Sequence, residues 1–170
     1  FQAVKSKEAR RELGEHYTTE ENILKLIGPL FLDELRAEFV ANIHSRPGLR
    51  KLHERLGQMR FLDPACGCGN FLIVAYRELR ALELQILVRL QELSGKQVQT
   101  SLVMDEDERV RVRMSHFSGI ELEEWPATIA RTAMFLVNHQ ANQDMSLKIG
   151  ISPEQLPLSE SAHIVVGNAL

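Results

Sequence analysis

Three short stretches of this chain set a carboxylate or amide side chain at the end of an apolar run, next to glycine. The longest, Phe61-Leu62-Asp63-Pro64-Ala65-Cys66-Gly67-Cys68-Gly69-Asn70-Phe71-Leu72, reads as a strand ending in an acid, a tight turn with two glycines, and a helix start. Gly67 and Gly69 permit backbone geometry and close ligand approach that a Cβ would block, although turns use glycine in any case. A phosphate loop would require Lys and then Ser or Thr after the second glycine, where this chain has Asn70-Phe71. A dinucleotide fingerprint would require a third glycine near Leu72, and none is there. Asp63 at the strand end suits a cationic group better than a pyrophosphate, so the turn fits a zwitterionic nucleoside. Gly119-Ile120-Glu121-Leu122 and Gly167-Asn168-Ala169-Leu170 are the other two stretches. Each has a plain alternative: Glu121 as a first-turn acid, Asn168 as a turn former, and the upstream Thr19 as a helix cap.

The elements that must position these residues follow from apolar spacing. Residues 1–15 are charged and helix-compatible, and His16-Tyr17-Thr18-Thr19 reads as a short loop. Thr19 or Thr18 can cap a helix carrying Glu20 and Glu21 in its first turn; the spacing predicts a break near Gly28-Pro29 and a continuation to about Ile43. Arg46-Pro47-Gly48 reads as a turn, and Leu49 to Leu56 as a short helix. Met59 to Asp63 is predicted as a buried strand, with Asn70 capping a long helix that runs to about Leu93. Gln97 to Met104 with Val110 to Met114 fits a surface hairpin, His116 to Leu122 a second strand, and Trp125 to about Asn142 a helix with Pro126 in its first turn. His163 to Gly167 is the third strand. Strand, helix, strand, helix, strand implies a parallel sheet with right-handed crossovers, and ligands of such sheets bind at the carboxyl ends of the strands. The loops after Asp63, Glu121 and Gly167 should therefore meet at one edge. The division expected is a helical segment over 1–58 and a partial Rossmann-like subdomain over 59–170.

Length and composition set bounds on function. The chain has 170 residues, 44% of them hydrophobic and 25% charged, as in an ordinary soluble globular protein. No apolar run approaches the roughly 20 residues of a spanning helix, and no signal-peptide core is present, so a cytoplasmic setting without a membrane partner is expected. Cys66 and Cys68 are too close together for an ordinary disulfide and too few for a zinc site, and the six histidines show no ligand pairing. They are read as free thiols and packed or solvated rings, with no metal and no catalytic histidine. Trp125 and Tyr76 are assigned to helix packing. A net charge of −3 lacks the basic excess of a duplex-gripping surface. The start at Phe1 and the strand-to-loop ending suggest a segment of a longer polypeptide.

The string Asp63-Pro64-Ala65-Cys66-Gly67-Cys68-Gly69-Asn70-Phe71-Leu72 resembles the first S-adenosylmethionine motif of the amino-methylating DNA methyltransferases. Gly14-Glu15-His16-Tyr17-Thr18-Thr19 is similar to the loop of that family that touches the methionine end of the cofactor. The order of the segments resembles the gamma class, which modifies the adenine amino group. The closest likeness is to the methyltransferase region of type IIG and IIL restriction and modification enzymes, over about residues 8–170. The wording of Ala75 to Arg80 and of Ile129 to Asn142 also looks like that group. The resemblance implies a class I, Rossmann-like fold binding S-adenosyl-L-methionine and releasing S-adenosyl-L-homocysteine. It implies a cofactor site made of Tyr17, Thr18, Thr19, Asp63, Pro64, Ala65, Cys66, Gly67, Gly69, Asn70, Phe71, Glu121, Leu122, Asn168 and Ala169. In it Glu121 would accept from both ribose hydroxyls, Leu122 would flank the adenine and Asn168 would meet the adenine edge, where many members carry Asp. The implied reaction is in-line attack of an adenine amino nitrogen, on a base flipped out of duplex DNA, upon the sulfonium methyl carbon. The family's Asn-Pro-Pro-aromatic loop, which holds that base, does not occur here, so no catalytic residue is assigned and the segment alone is expected to be inactive. DNA contacts are expected outside these residues, and unpaired strand edges to favour dimerisation. A class I methyltransferase acting on protein or a small molecule, and a non-catalytic nucleotide-binding module, are the alternatives.

Overall fold

A computed structural model of the chain describes residues 18–95, 109–150 and 161–170. Helix α1 (Glu20–Ile27) leads through a π-helical turn (Gly28–Leu32) into α2 (Asp33–Ala41), and α3 spans Arg46–Gln58. Strand β1 (Phe61–Asp63) precedes α4 (Asn70–Ser94), and β2 (Phe117–Glu121) precedes α5 (Glu124–Ile149). Strand β3 covers His163–Val166. The order in the sheet is β1-β2-β3 and both pairs are parallel, with Phe61 opposite Phe117 and Gly119 opposite Ile164. This is the α/β arrangement that the sequence predicts.

Side chains alternate across a strand, and here the two faces differ sharply. Phe117, Gly119 and Ile164 turn to one face and are buried under α4 and α5. Phe61 stacks on Phe117 with centroids 4.8 Å apart, and Tyr76 of α4 meets Phe117 edge-on at 5.1 Å. Tyr76 is fully buried and donates through Oη to Asn138 Oδ1 at 2.6 Å, tying α4 to α5. Leu62 and Val165 lie on the opposite face and are 65% and 45% exposed. The helices of residues 20–58 join the same core: Leu35, Leu49, Leu52 and Leu56 pack with Leu79, Ile86 and Leu87.

A buried polar knot holds the segment entering β2. Glu83, fully buried on α4, accepts through Oε1 from the backbone N–H groups of Arg111 (2.6 Å) and Val112 (3.0 Å), and the same oxygen lies 3.0 Å from His53 Nε2 of α3. Arg80 donates to Glu83 Oε2 at 3.3 Å and to Asn142 Oδ1 of α5 at 2.7 Å. One carboxylate thereby ties two helices to an irregular segment whose amides no helix or strand satisfies.

Several expectations are corrected. The chain does not break at Gly28-Pro29; it widens into a π turn, in which Pro29 needs no amide partner. Arg46-Pro47-Gly48 is the first turn of α3 and not a separate turn: Ser45 Oγ accepts from the Gly48 N–H at 3.2 Å, and Pro47 sits where helix amides lack partners. Residue Gly69, not Asn70, holds the cap position of α4, and α5 runs on past Asn142 to Ile149. Val110 to Met114 forms no strand, and Gln97 to Met104 lies outside the described residues. Trp125 is 63% exposed and does not pack into the core.

Candidate functional site

The glycine turn is built by two different demands. Gly69 has φ +82°, and a Cβ there would stand 2.9 Å from Ala130 Cβ of α5. Gly67 has φ +54°, and a Cβ there would meet nothing within 4 Å. One glycine lets α4 and α5 approach; the other borders open space. A third glycine, Gly119 in the middle of β2, makes room for the turn itself, because a Cβ there would lie 2.7 Å from Cys66 Sγ and 2.9 Å from Ile164 Cδ1. Sequence reasoning missed Gly119 and Ala130 as site determinants, although a glycine inside a strand signals close backbone approach.

The turn is fastened to β2 by hydrogen bonds. Cys66 N–H donates to Ile120 O at 3.0 Å, and Gly69 N–H closes the turn on Cys66 O at 2.8 Å. Glu121 Oε2 accepts from Gly67 N–H at 2.9 Å, and Glu121 Oε1 from Glu123 N–H at 3.1 Å. Gly167 N–H donates to Glu121 O at 2.9 Å, so the loops after all three strands converge on Glu121. Asp63 Oδ1 accepts from Ala65 N–H at 3.1 Å.

Each carboxylate oxygen of Glu121 carries one amide bond, which leaves one further acceptor position on each, the number that two hydroxyl donors need. Asp63 Oδ2 takes no hydrogen bond from the described residues and stays open to a cationic donor. Pro64, Ala65 and Leu122 are exposed at the rim of this edge, and Asn70 and Phe71 open α4 beside it. Cys66 is a buried free thiol, and burial, followed by the charges of Asp63 and Glu121, raises its pKa to about 11. Asn168 and Ala169 are exposed; Asn168 Oδ1 already accepts from Leu170 N–H at 3.1 Å, so this amide is partly engaged in its own turn.

Thr19 occupies the cap position of α1 but makes no side-chain cap bond, and Thr18 is half-buried beside it. α1 reaches the turn through a small cluster in which Ile23, Ile27 and Leu32 pack with Val74 of α4, against Phe71. Tyr17 and His16 lie outside the described residues. Of the other histidines, His116 is buried, while His139 and His163 are exposed. Among the described residues no group of three His, Cys, Asp or Glu side chains is arranged to hold a metal ion, and no helix is long and apolar enough to cross a membrane.

With this geometry in place, the sequence profile described as "MmeI, DNA-methyltransferase domain" matches residues 39–170. The chain belongs to the MmeI DNA-methyltransferase domain family. Among curated proteins it is 39% identical over its whole length to DNA methyltransferase A of Bacillus subtilis (strain 168), of which it covers 18%. Among solved structures it superposes on the type IIL restriction-modification enzyme MmeI in complex with DNA, with a TM-score of 0.86 and 43% identity over 99% of this chain. The chain thus spans about a fifth of either relative, covering 22% of the MmeI chain. The likeness to type IIL methyltransferase regions, read over about residues 8–170, is the one these comparisons support.

Proposed function

We propose that the chain is the S-adenosyl-L-methionine-binding part of a restriction-modification DNA methyltransferase that modifies the adenine amino group of duplex DNA. The observation that carries the cofactor assignment is the convergence on Glu121, whose carboxylate holds the Gly67 amide and whose carbonyl holds the Gly167 amide. A strand-end acid fixed by two amides, beside a glycine that opens into space, fits a nucleoside with a ribose diol and a cationic amino acid end. Glu121 would take the hydroxyls, Asp63 the amino group, and Gly67 would let the cofactor lie against the turn. Leu122, Asn168 and Ala169 would line the adenine, and Tyr17, Thr18 and Thr19 the methionine end. When bound, the cofactor supplies an electrophilic methyl group.

In this reading the chain's own residues bind and orient, and none of the described residues is assigned a part in proton transfer. Family membership supports DNA as the substrate, and the order of the motifs supports adenine. The segment 1–58 would serve as a support and 59–170 as the cofactor subdomain. Because the sequence holds no Asn-Pro-Pro-aromatic run, the chain alone is expected to bind cofactor without transferring methyl to DNA.

Calorimetric titration with S-adenosyl-L-methionine tests this reading. Binding is expected, and Glu121→Gln, which sets an NH2 group against one of the two amides, should weaken it about tenfold or more, from the 1.5–3 kcal/mol of hydrogen bonds to a charged group. A folded chain that releases no heat, or a Glu121→Gln variant of unchanged affinity, would overturn it.

A further inference from the structure

Arg60 immediately precedes β1 and His116 immediately precedes β2, so both stand at the amino ends of the strands. Asp63 and Glu121 stand at the carboxyl ends, roughly 10–17 Å away at about 3.3 Å per residue. A cleft of about 620 Å³ opens at the amino edge. Among the described residues its lining includes Arg60, Arg109, Arg111, Arg113 and His116, and one carboxylate, Glu54.

The polar groups of this cleft are incompletely satisfied. Arg60 Nη1 donates to the carbonyls of Gly57 (3.1 Å) and Met59 (2.9 Å), which fixes its guanidinium at the entrance to β1. His116 is 8% exposed, and its Nδ1 has no hydrogen-bond partner. Arg111 Nε is likewise buried without one. Burial, then the charges of Arg60 and Arg113, lowers the His116 pKa against the opposing pull of Glu83. Buried donors and acceptors in folded proteins nearly always find partners, so two orphans at one cleft call for an explanation.

We propose that this cleft is an anion site that takes a phosphate group. Arginine forks match phosphate oxygens in pairs, and an oxyanion can accept together from the guanidinium groups of Arg60, Arg109 and Arg111 and from the open ring nitrogen of His116. Among the described residues no Phe, Tyr or Trp lines the cleft, so recognition runs through phosphate and not through a stacked base. The same chemistry is offered by free phosphate and by the phosphodiester backbone of DNA. The site is independent of the cofactor reading, because it uses none of the same residues and lies at the other edge of the sheet.

The test follows histidine ring resonances by NMR while inorganic pyrophosphate is titrated into the 170-residue chain. His116 signals should shift saturably, those of His139 and His163 should stay in place, and Arg60→Gln or Arg109→Gln should weaken binding by about tenfold. A short DNA duplex forms the second arm. If it shifts His116 with salt-dependent affinity and competes with pyrophosphate, the phosphate is that of the backbone; if only pyrophosphate acts, the ligand is free phosphate. The proposal is overturned if neither ligand moves His116, or if acetate at equal ionic strength moves it as much. It is also overturned if the substitutions leave affinity unchanged. The acetate comparison needs only the unsubstituted chain and decides the matter should a variant fail to fold.

Discussion

The two positive-φ glycines of the turn should respond differently to the same added methyl group. Gly69→Ala places a Cβ 2.9 Å from Ala130 Cβ and 3.3 Å from its Cα, at φ +82°. The left-handed backbone costs about 1–2 kcal/mol for an L-residue, and overpacking a close contact adds about 1–3 kcal/mol, because Ala130 is rigid and cannot swing away. The sum is roughly 2–5 kcal/mol, which at about 2–4 °C per kcal/mol lowers Tm by roughly 4–20 °C. Gly67→Ala carries only the backbone cost, about 1–2 kcal/mol, since its Cβ meets nothing within 4 Å. Urea denaturation followed by circular dichroism measures both. Cofactor affinity should rank in the opposite sense once corrected for the folded fraction: Gly67→Ala puts its methyl group where the cofactor would lie, whereas Gly69→Ala faces α5. Equal stability losses, or a larger loss for Gly67→Ala, would refute the division of labour drawn between these glycines.

Cys66 should resist iodoacetamide at pH 8 until the chain is unfolded, because its thiol is held at about 11 by burial and by Asp63 and Glu121. The unfolded chain loses this proton near the ordinary 9.0 while the folded chain retains it, so the contribution to stability is intact below about pH 9 and declines as pH rises toward 11. Denaturation across that range, compared with Cys66→Ser, checks the sign. Glu83→Gln strips the charge partner from buried Arg80 and should cost about 3–5 kcal/mol in urea unfolding, with cofactor affinity per folded molecule unchanged; a loss below about 1 kcal/mol would contradict the knot's role. Light scattering should show mass rising with concentration through the exposed Leu62 and Val165 face and the strand edges, and Val165→Lys should suppress it. A monodisperse monomer at high concentration would refute this.

Much of the architecture is legible because apolar spacing and glycine placement report backbone demands directly. The three strands and the long helix after the glycine turn lie within a residue or two of their expected bounds. The failures share a physical origin. Pro47 and Gly48 carry turn propensity, yet Ser45 turns them into a capped helix start, and a cap becomes visible only once the helix direction is known. Polar residues such as Gln143 and Asp144 suggest an end to α5, whereas the buried Met145 and Ile149 carry it forward. At the site, the acids were visible as acids, but that the Glu121 carboxylate accepts from the Gly67 amide of the turn depends on how β1 and β2 pair. The need for Gly119 likewise rests on a contact with Cys66 from a distant stretch of chain. The arginine cleft escaped notice because net charge averages over the whole surface.

The π turn at Gly28–Leu32 bears on how the chain tolerates changes in length. An α-helix advances about 100° per residue, so removing one residue from this wider turn would rotate everything from Glu20 to Ile27 about its own axis by that angle. Ile23 and Ile27 would leave Val74 and Phe71, and the loop bearing Thr18 and Thr19 would be carried away from the start of α4. Substitutions that keep the residue count should therefore be accepted there far more readily than a single deletion, and natural variants of this helix should differ in letters, not in number.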